Sequence, residues 1–80
     1  MPKIKTLKPP LQQQLEDELR SRYGGMMRAL DVARELGIKH HSAYEAWLAD
    51  VPCVRVNRLR RWRCADVAAK IYRSMEGPEL

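Results

Sequence analysis

Eighty residues, 45% hydrophobic and 31% charged, bound one small domain and leave no apolar run near the roughly 20 residues a transmembrane helix needs. The start, MPKIKTLKPPLQQQ, lacks the apolar segment of a secretory signal, so the expectation is a cytoplasmic chain whose two cysteines stay reduced. The net charge of +5 is uneven, at +2 over residues 1–24, −1 over 25–50 and +4 over 51–80, which points to a polyanion as partner.

Residues 1–9 read as a basic flexible arm carrying Lys3, Lys5 and Lys8, separated from the first helix by Pro9-Pro10. The domain proper is expected over 10–76, with a loose tail over 77–80. Its first helix, about 10–23, places Leu11, Leu15 and Leu19 at i, i+4, i+8 as one apolar stripe. Pro10 suits the first turn and Gly24-Gly25 the stop.

After Met26-Met27, the spacing predicts a helix over about 29–36, with Leu30, Val32, Ala33 and Leu36 on one helical face and Gly37 as a left-handed cap. A second short helix is expected over about 42–49, with Ser42 the better N-cap beside His41. Ala43 and Trp47, and likewise Tyr44 and Leu48, fall four apart along it. Two short helices joined by about four residues, with Ala33 inside the first and Gly37 at its end, match the helix-turn-helix pattern.

Pro52 stops the second helix, and VPCVRVNRLRRWRC runs across it, with five arginines between Arg55 and Arg63 and no acid. Alternation predicts a hairpin over about 53–64. A three-residue loop, Arg58-Leu59-Arg60, would set Val56 opposite Trp62 and Val54 opposite Cys64, an apolar face. Arg55, Arg61 and Arg63 would then share the other face. A closing helix is expected over about 65–75, with Val67, Ile71 and Met75 inward and Asp66 near its N-terminus. The fold class is therefore mainly α with a small β-hairpin.

From Met26 to about Ser74, some sixty per cent of the chain, this order resembles the excisionase-like, MerR-type winged helix-turn-helix domains of phage and mobile-element proteins. Asp31-Val32-Ala33, Leu36-Gly37, Ser42, Tyr44, Pro52, the hairpin arginines, Trp62 and Asp66 carry the likeness. Arg28 stands where a Ser or Thr cap is common and Asn57 where glycine is common, and the N-terminal arm and helix are additional. The resemblance implies a DNA-binding protein that assists an integrase or recombinase or represses a promoter, on its own or in further copies along the DNA. Such proteins bend their DNA.

In a winged helix-turn-helix the second helix enters the major groove and the hairpin reaches the minor groove or backbone. The candidate base readers are accordingly Lys39, His40, His41, Ser42 and Glu45; glutamate can accept from cytosine N4. Arg55, Arg58, Arg60, Arg61 and Arg63 are the candidate phosphate and minor-groove contacts, with Lys3, Lys5 and Lys8 as a tether. His40, His41, Cys53 and Cys64 lack metal-ligand spacing, and no nucleophile with a base or phosphate-cradling loop is present. No metal, cofactor, small-molecule substrate, membrane contact or catalysis is expected. The alternative is a protein-assembly module docking through the leucine stripe, as in small terminase subunits that couple DNA to a packaging motor.

Overall fold

Pro10 opens α1 (Pro10–Tyr23): its fixed φ suits the first turn, and its missing N–H costs nothing there. The protein is represented by a computed structural model that describes residues 8–75; the expected contacts at Lys3 and Lys5 and the tail at 77–80 lie outside the described residues. After α1 come β1 (Met26–Met27), α2 (Ala29–Leu36), α3 (His41–Leu48), β2 (Val54–Val56), β3 (Leu59–Arg63) and α4 (Cys64–Ser74). The described chain is thus mostly helical, with four helices and one three-stranded antiparallel sheet in the order β1-β3-β2. None of its helices is long and apolar enough to cross a membrane.

The core forms where α1, α4 and the sheet meet. Met27, Val32, Cys64 and Val67 are fully buried, and Trp62 retains only 2% of its surface. Leu19, Leu48, Val51 and Ala68 complete the cluster, with Leu15 packed against it. α1 therefore docks on its own domain, chiefly against α4. Two of its three stripe leucines are spent in that contact, while Leu11 stays exposed. The buried carboxylate of Glu16 is held by Lys8 and Arg20. Lys8, expected on a free arm, is thus tied to α1.

α2 starts without a side-chain cap at Arg28, and its third residue, Asp31, instead reaches back to that position. Its Oδ2 takes the backbone N–H of Arg28 at 3.0 Å, and the Arg28 guanidinium closes on the same carboxylate at 2.9 and 3.1 Å. Gly37 ends the helix at φ 70°, as the spacing predicts. Ala33 is buried, also as expected. Leu30 is not inward: it is 57% exposed, because it lies on the far side of the helix from the buried Val32. Met75, beyond the end of α4, is likewise exposed.

α3 begins one residue earlier than predicted, at His41, with His40 rather than Ser42 at the cap position. The His40 carbonyl accepts from the N–H groups of Ala43 and Tyr44, and no side chain caps the end. Tyr44 and Leu48 turn into the protein, and Trp47 packs at the edge of the core under the Lys70 ammonium, 4.6 Å from its ring centre.

The hairpin register departs from the predicted one. The pairs are Val54 with Arg61, Arg55 with Arg60, and Val56 with Leu59, so the connection is the two residues Asn57-Arg58. Asn57 takes φ 58°, a left-handed conformation asparagine tolerates and tight hairpin turns require. Directly opposed residues share a face. Arg55 and Arg60 therefore point to the same side as the buried pair Met27 and Trp62, while Val54, Val56, Leu59, Arg61 and Arg63 face away. The valines do not pack on Trp62. Met27, from the additional strand β1, covers it instead.

Candidate nucleic-acid interface

The β2–β3 hairpin carries five arginines and no acid of its own, so any neutralisation must come from elsewhere in the domain. Two of the five find it. Arg60 crosses to α3 and grips Glu45 with both terminal nitrogens, at 2.7 and 3.2 Å. Arg63 reaches Asp66 in the first turn of α4, at 2.7 and 3.0 Å. Arg55, Arg58 and Arg61 have no acidic partner among the described residues. Arg55 and Arg58 are exposed, and Arg61 is half-buried with one guanidinium nitrogen on the Arg60 carbonyl at 2.8 Å.

These positions correct the predicted ones in three respects. Arg60 lies in strand β3 rather than at the hairpin tip. Arg55 lies on the opposite face from Arg61 and Arg63, because a two-residue turn shifts its partner to Arg60. Arg60 and Arg63 are engaged within the domain, which leaves Arg55, Arg58 and Arg61 as the hairpin cations free of acids among the described residues.

At the other side of the candidate surface, Lys39, His40, His41 and Ser42 are all exposed around the start of α3. The N-terminal end of a helix carries partial positive charge and unpaired N–H groups, which favours anions nearby. The His41 ring stands edge-on to the buried Tyr44 ring, with centres 5.3 Å apart, and its Nε2 lies 3.6 Å from Glu45. Glu45 is the expected base reader whose carboxylate is already occupied.

The electrostatics reflect these contacts. The two hydrogen bonds from Arg60 hold the Glu45 carboxyl below its ordinary pKa, and Glu45 in turn raises that of Arg60. Lys70 likewise lowers that of Asp50, with Nζ and Oδ1 at 2.6 Å, and pins the end of α3 to α4. The guanidinium of Arg60 also sits 5.1 Å above the Trp62 ring, so the residue that links hairpin to α3 rests on the core tryptophan. Between them lies a shallow cleft of about 160 Å³, lined by Glu45, Leu48, Val51, Arg55, Arg60 and Trp62. A larger open groove of about 300 Å³ runs along α1 past Gln14, Asp17, Glu18 and Arg22, with no convergent chemistry.

Cys53 is exposed and precedes β2, outside the strand expected to hold it. Cys64 is buried in the core, with its sulfur 3.2 Å from the Gly24 carbonyl, and burial pushes its thiol pKa up. Among the described residues no group of His, Cys, Asp and Glu is arranged to hold a metal ion.

Periodicity alone missed the exposed apolar tip of the hairpin. Val56 and Leu59 face each other across the turn at 52% and 53% exposure. Asn57 was the available signal, since its tolerance of positive φ favours a two-residue turn over the three-residue loop that would have hidden both valines. Set against family models, curated proteins and solved structures, the chain has no match.

Proposed function

We propose that the protein is a sequence-selective binder of double-stranded DNA with the architecture of a winged helix-turn-helix. α2 and α3 are its two helices and the β2–β3 hairpin its wing. α3 enters the major groove with Lys39, His40, His41 and Ser42 at the base edges, and Arg55, Arg58 and Arg61 meet the backbone or the adjacent minor groove. The observation that carries this reading is the bidentate Arg60–Glu45 pair, which joins hairpin and helix; in this reading the two meet one ligand together. Each phosphate a free arginine neutralises releases condensed counterions, so affinity comes mainly from the hairpin and selectivity from α3.

The biological role that fits best is an excisionase-like accessory factor or a small phage or plasmid regulator, acting on DNA in the cytoplasm with an integrase or with further copies of itself. One small domain offers a limited footprint, which favours cooperation. The protein has no catalytic role in this reading. The alternative, an assembly adaptor docking through α1, is weakened because Leu15 and Leu19 are already packed in the core.

The deciding experiment is binding to a duplex library from the native genomic neighbourhood across a salt series. A selected site with a steep salt dependence is expected. Arg58→Ala with Arg61→Ala should weaken binding to all sequences and lower the slope of log K against log salt by about 2. An unchanged slope would overturn the role of the hairpin, and equal weak binding to every duplex would overturn selectivity.

A further inference from the structure

Single exposed apolar side chains are ordinary on protein surfaces. The tip of this hairpin is different. The register seats Val56 directly opposite Leu59 at the turn, each more than half exposed, on the face turned away from the core. The chain between them is Asn57-Arg58, and Arg61 lies on the same face of β3. Just below the turn the hairpin thus carries an exposed apolar pair set among guanidinium groups, with no acid in the segment.

A second copy of this protein fits that surface poorly, since it would bring the arginines of two hairpins together. A partner that matches must be strongly anionic outside and apolar within, spaced so that both are met at once. A DNA duplex has that chemistry, with phosphates flanking stacked bases. Side chains such as leucine that enter the minor groove partly unstack a base step and kink the duplex.

We propose that Val56 and Leu59 form a wedge that enters a base step and kinks the DNA, with Arg58 and Arg61 holding the flanking phosphates. The proposal rests on the DNA-binding reading and adds a specificity that needs no hydrogen bond to a base. Pyrimidine–purine steps such as TA unstack readily and A-tracts resist it. The wedge therefore selects sites by deformability, independently of the contacts made by α3. Behind the pair, β3 is tied to α3 through Arg60, whose guanidinium also rests on Trp62.

The test uses two duplexes of about 30 base pairs that differ only in a central TA step or a central A-tract. Bending is read from energy transfer between end labels, and affinity is read in parallel. The wild-type chain is expected to shorten the end-to-end distance of the TA duplex and to prefer it by about tenfold. Leu59→Ser with Val56→Thr should keep binding but lose both the bend and the preference. Leu59→Met should retain them. Because both side chains are exposed, the variants should keep the wild-type thermal unfolding curve, and Leu59→Ser alone provides a milder second test with a reduced bend. Wild-type binding without a bend, or a bend that survives the double substitution, overturns the wedge while leaving the DNA-binding reading intact. If the wild-type chain binds neither duplex nor any member of the genomic library, the DNA-binding reading itself fails and the wedge with it.

Discussion

Arg60 and Glu45 lie fifteen residues apart in the chain and meet through two hydrogen bonds, 2.7 and 3.2 Å long, that tie β3 to α3. The pair engages both an arginine expected to bind phosphate and a glutamate expected to read a base, and leaves each partly exposed. Its value is geometric: it links β3 to α3, the two elements that the proposed reading sets against one duplex.

Glu45→Gln should therefore leave overall stability nearly unchanged, since solvent-accessible ion pairs contribute little. Binding should change in two ways. Removing a negative charge and releasing Arg60 should raise affinity for arbitrary duplexes and steepen the salt slope by about 1, while the preference for the selected site falls. A specific loss of preference for cytosine at one position, with the salt slope unchanged, would instead make Glu45 a direct base reader.

The same pair sets a pH dependence. Glu45 has a folded pKa below its ordinary value of 4.5, because Arg60 hydrogen-bonds the charged form. A depressed carboxylate contributes its attraction in full above the unfolded value and loses it as pH falls through the folded one. The small difference in stability between the wild-type chain and Glu45→Gln should not shrink as pH falls from 7 to 5 and should be lost only below about pH 4.5. Chemical denaturation at stepped pH measures it, and a difference that shrinks between pH 7 and 5 would sink the assignment.

The thiols give a direct check on the core. Cys53 is exposed, whereas Cys64 is fully buried with its thiol pushed up by burial. A thiol reagent at neutral pH should titrate one cysteine per native chain at once and the second only on unfolding, because the thiolate is the reactive form. Mass analysis should place the fast label on Cys53. Fast labelling of both would mean that β3 and α4 do not seal over Cys64.

Much of this arrangement was legible in the sequence, because Gly37, Pro10 and the 3.6-residue periodicity each state a local rule that the packing obeys. The hairpin register was not. Its alternation of valine and arginine is compatible with more than one register, and burying the valines favours one three residues away from the pairing found, in which Val56 meets Leu59 rather than Trp62. The two residues of β1, too short for any periodic signal, cover Trp62 in their place. The Arg60–Glu45 pair was illegible for a related reason. It depends on which face of β3 meets α3, and that emerges only once the register is known.

Asn57 makes the register testable. At φ 58° it occupies a conformation that glycine adopts freely and a β-branched residue resists. Asn57→Gly should leave stability within about 0.5 kcal/mol, whereas Asn57→Val should cost about 1–2 kcal/mol and loosen the hairpin. Cross-strand contacts between Val56 and Leu59 in nuclear magnetic resonance spectra would confirm the two-residue turn. Contacts from Val56 to Trp62 would restore the three-residue loop.

The place of α1 decides between the DNA reading and the assembly reading, and its leucines separate the two. Leu19 keeps 3% of its surface and Leu11 keeps 41%. Leu19→Ala should cost about 2–5 kcal/mol, a large share of the roughly 5–15 kcal/mol that stabilises a domain, because the cavity it leaves is walled by the core cluster. Leu11→Ala should change stability by no more than about 0.5 kcal/mol, as an exposed substitution does. If α1 served mainly as a docking helix, the ranking would differ. Leu11→Ala would then abolish a dimer or higher ring seen by sedimentation at low and high salt, and Leu19→Ala would cost little in the isolated chain. A monomer at both salt concentrations, with Leu19→Ala strongly destabilised, leaves α1 as part of the domain and the hairpin and α3 as its working surface.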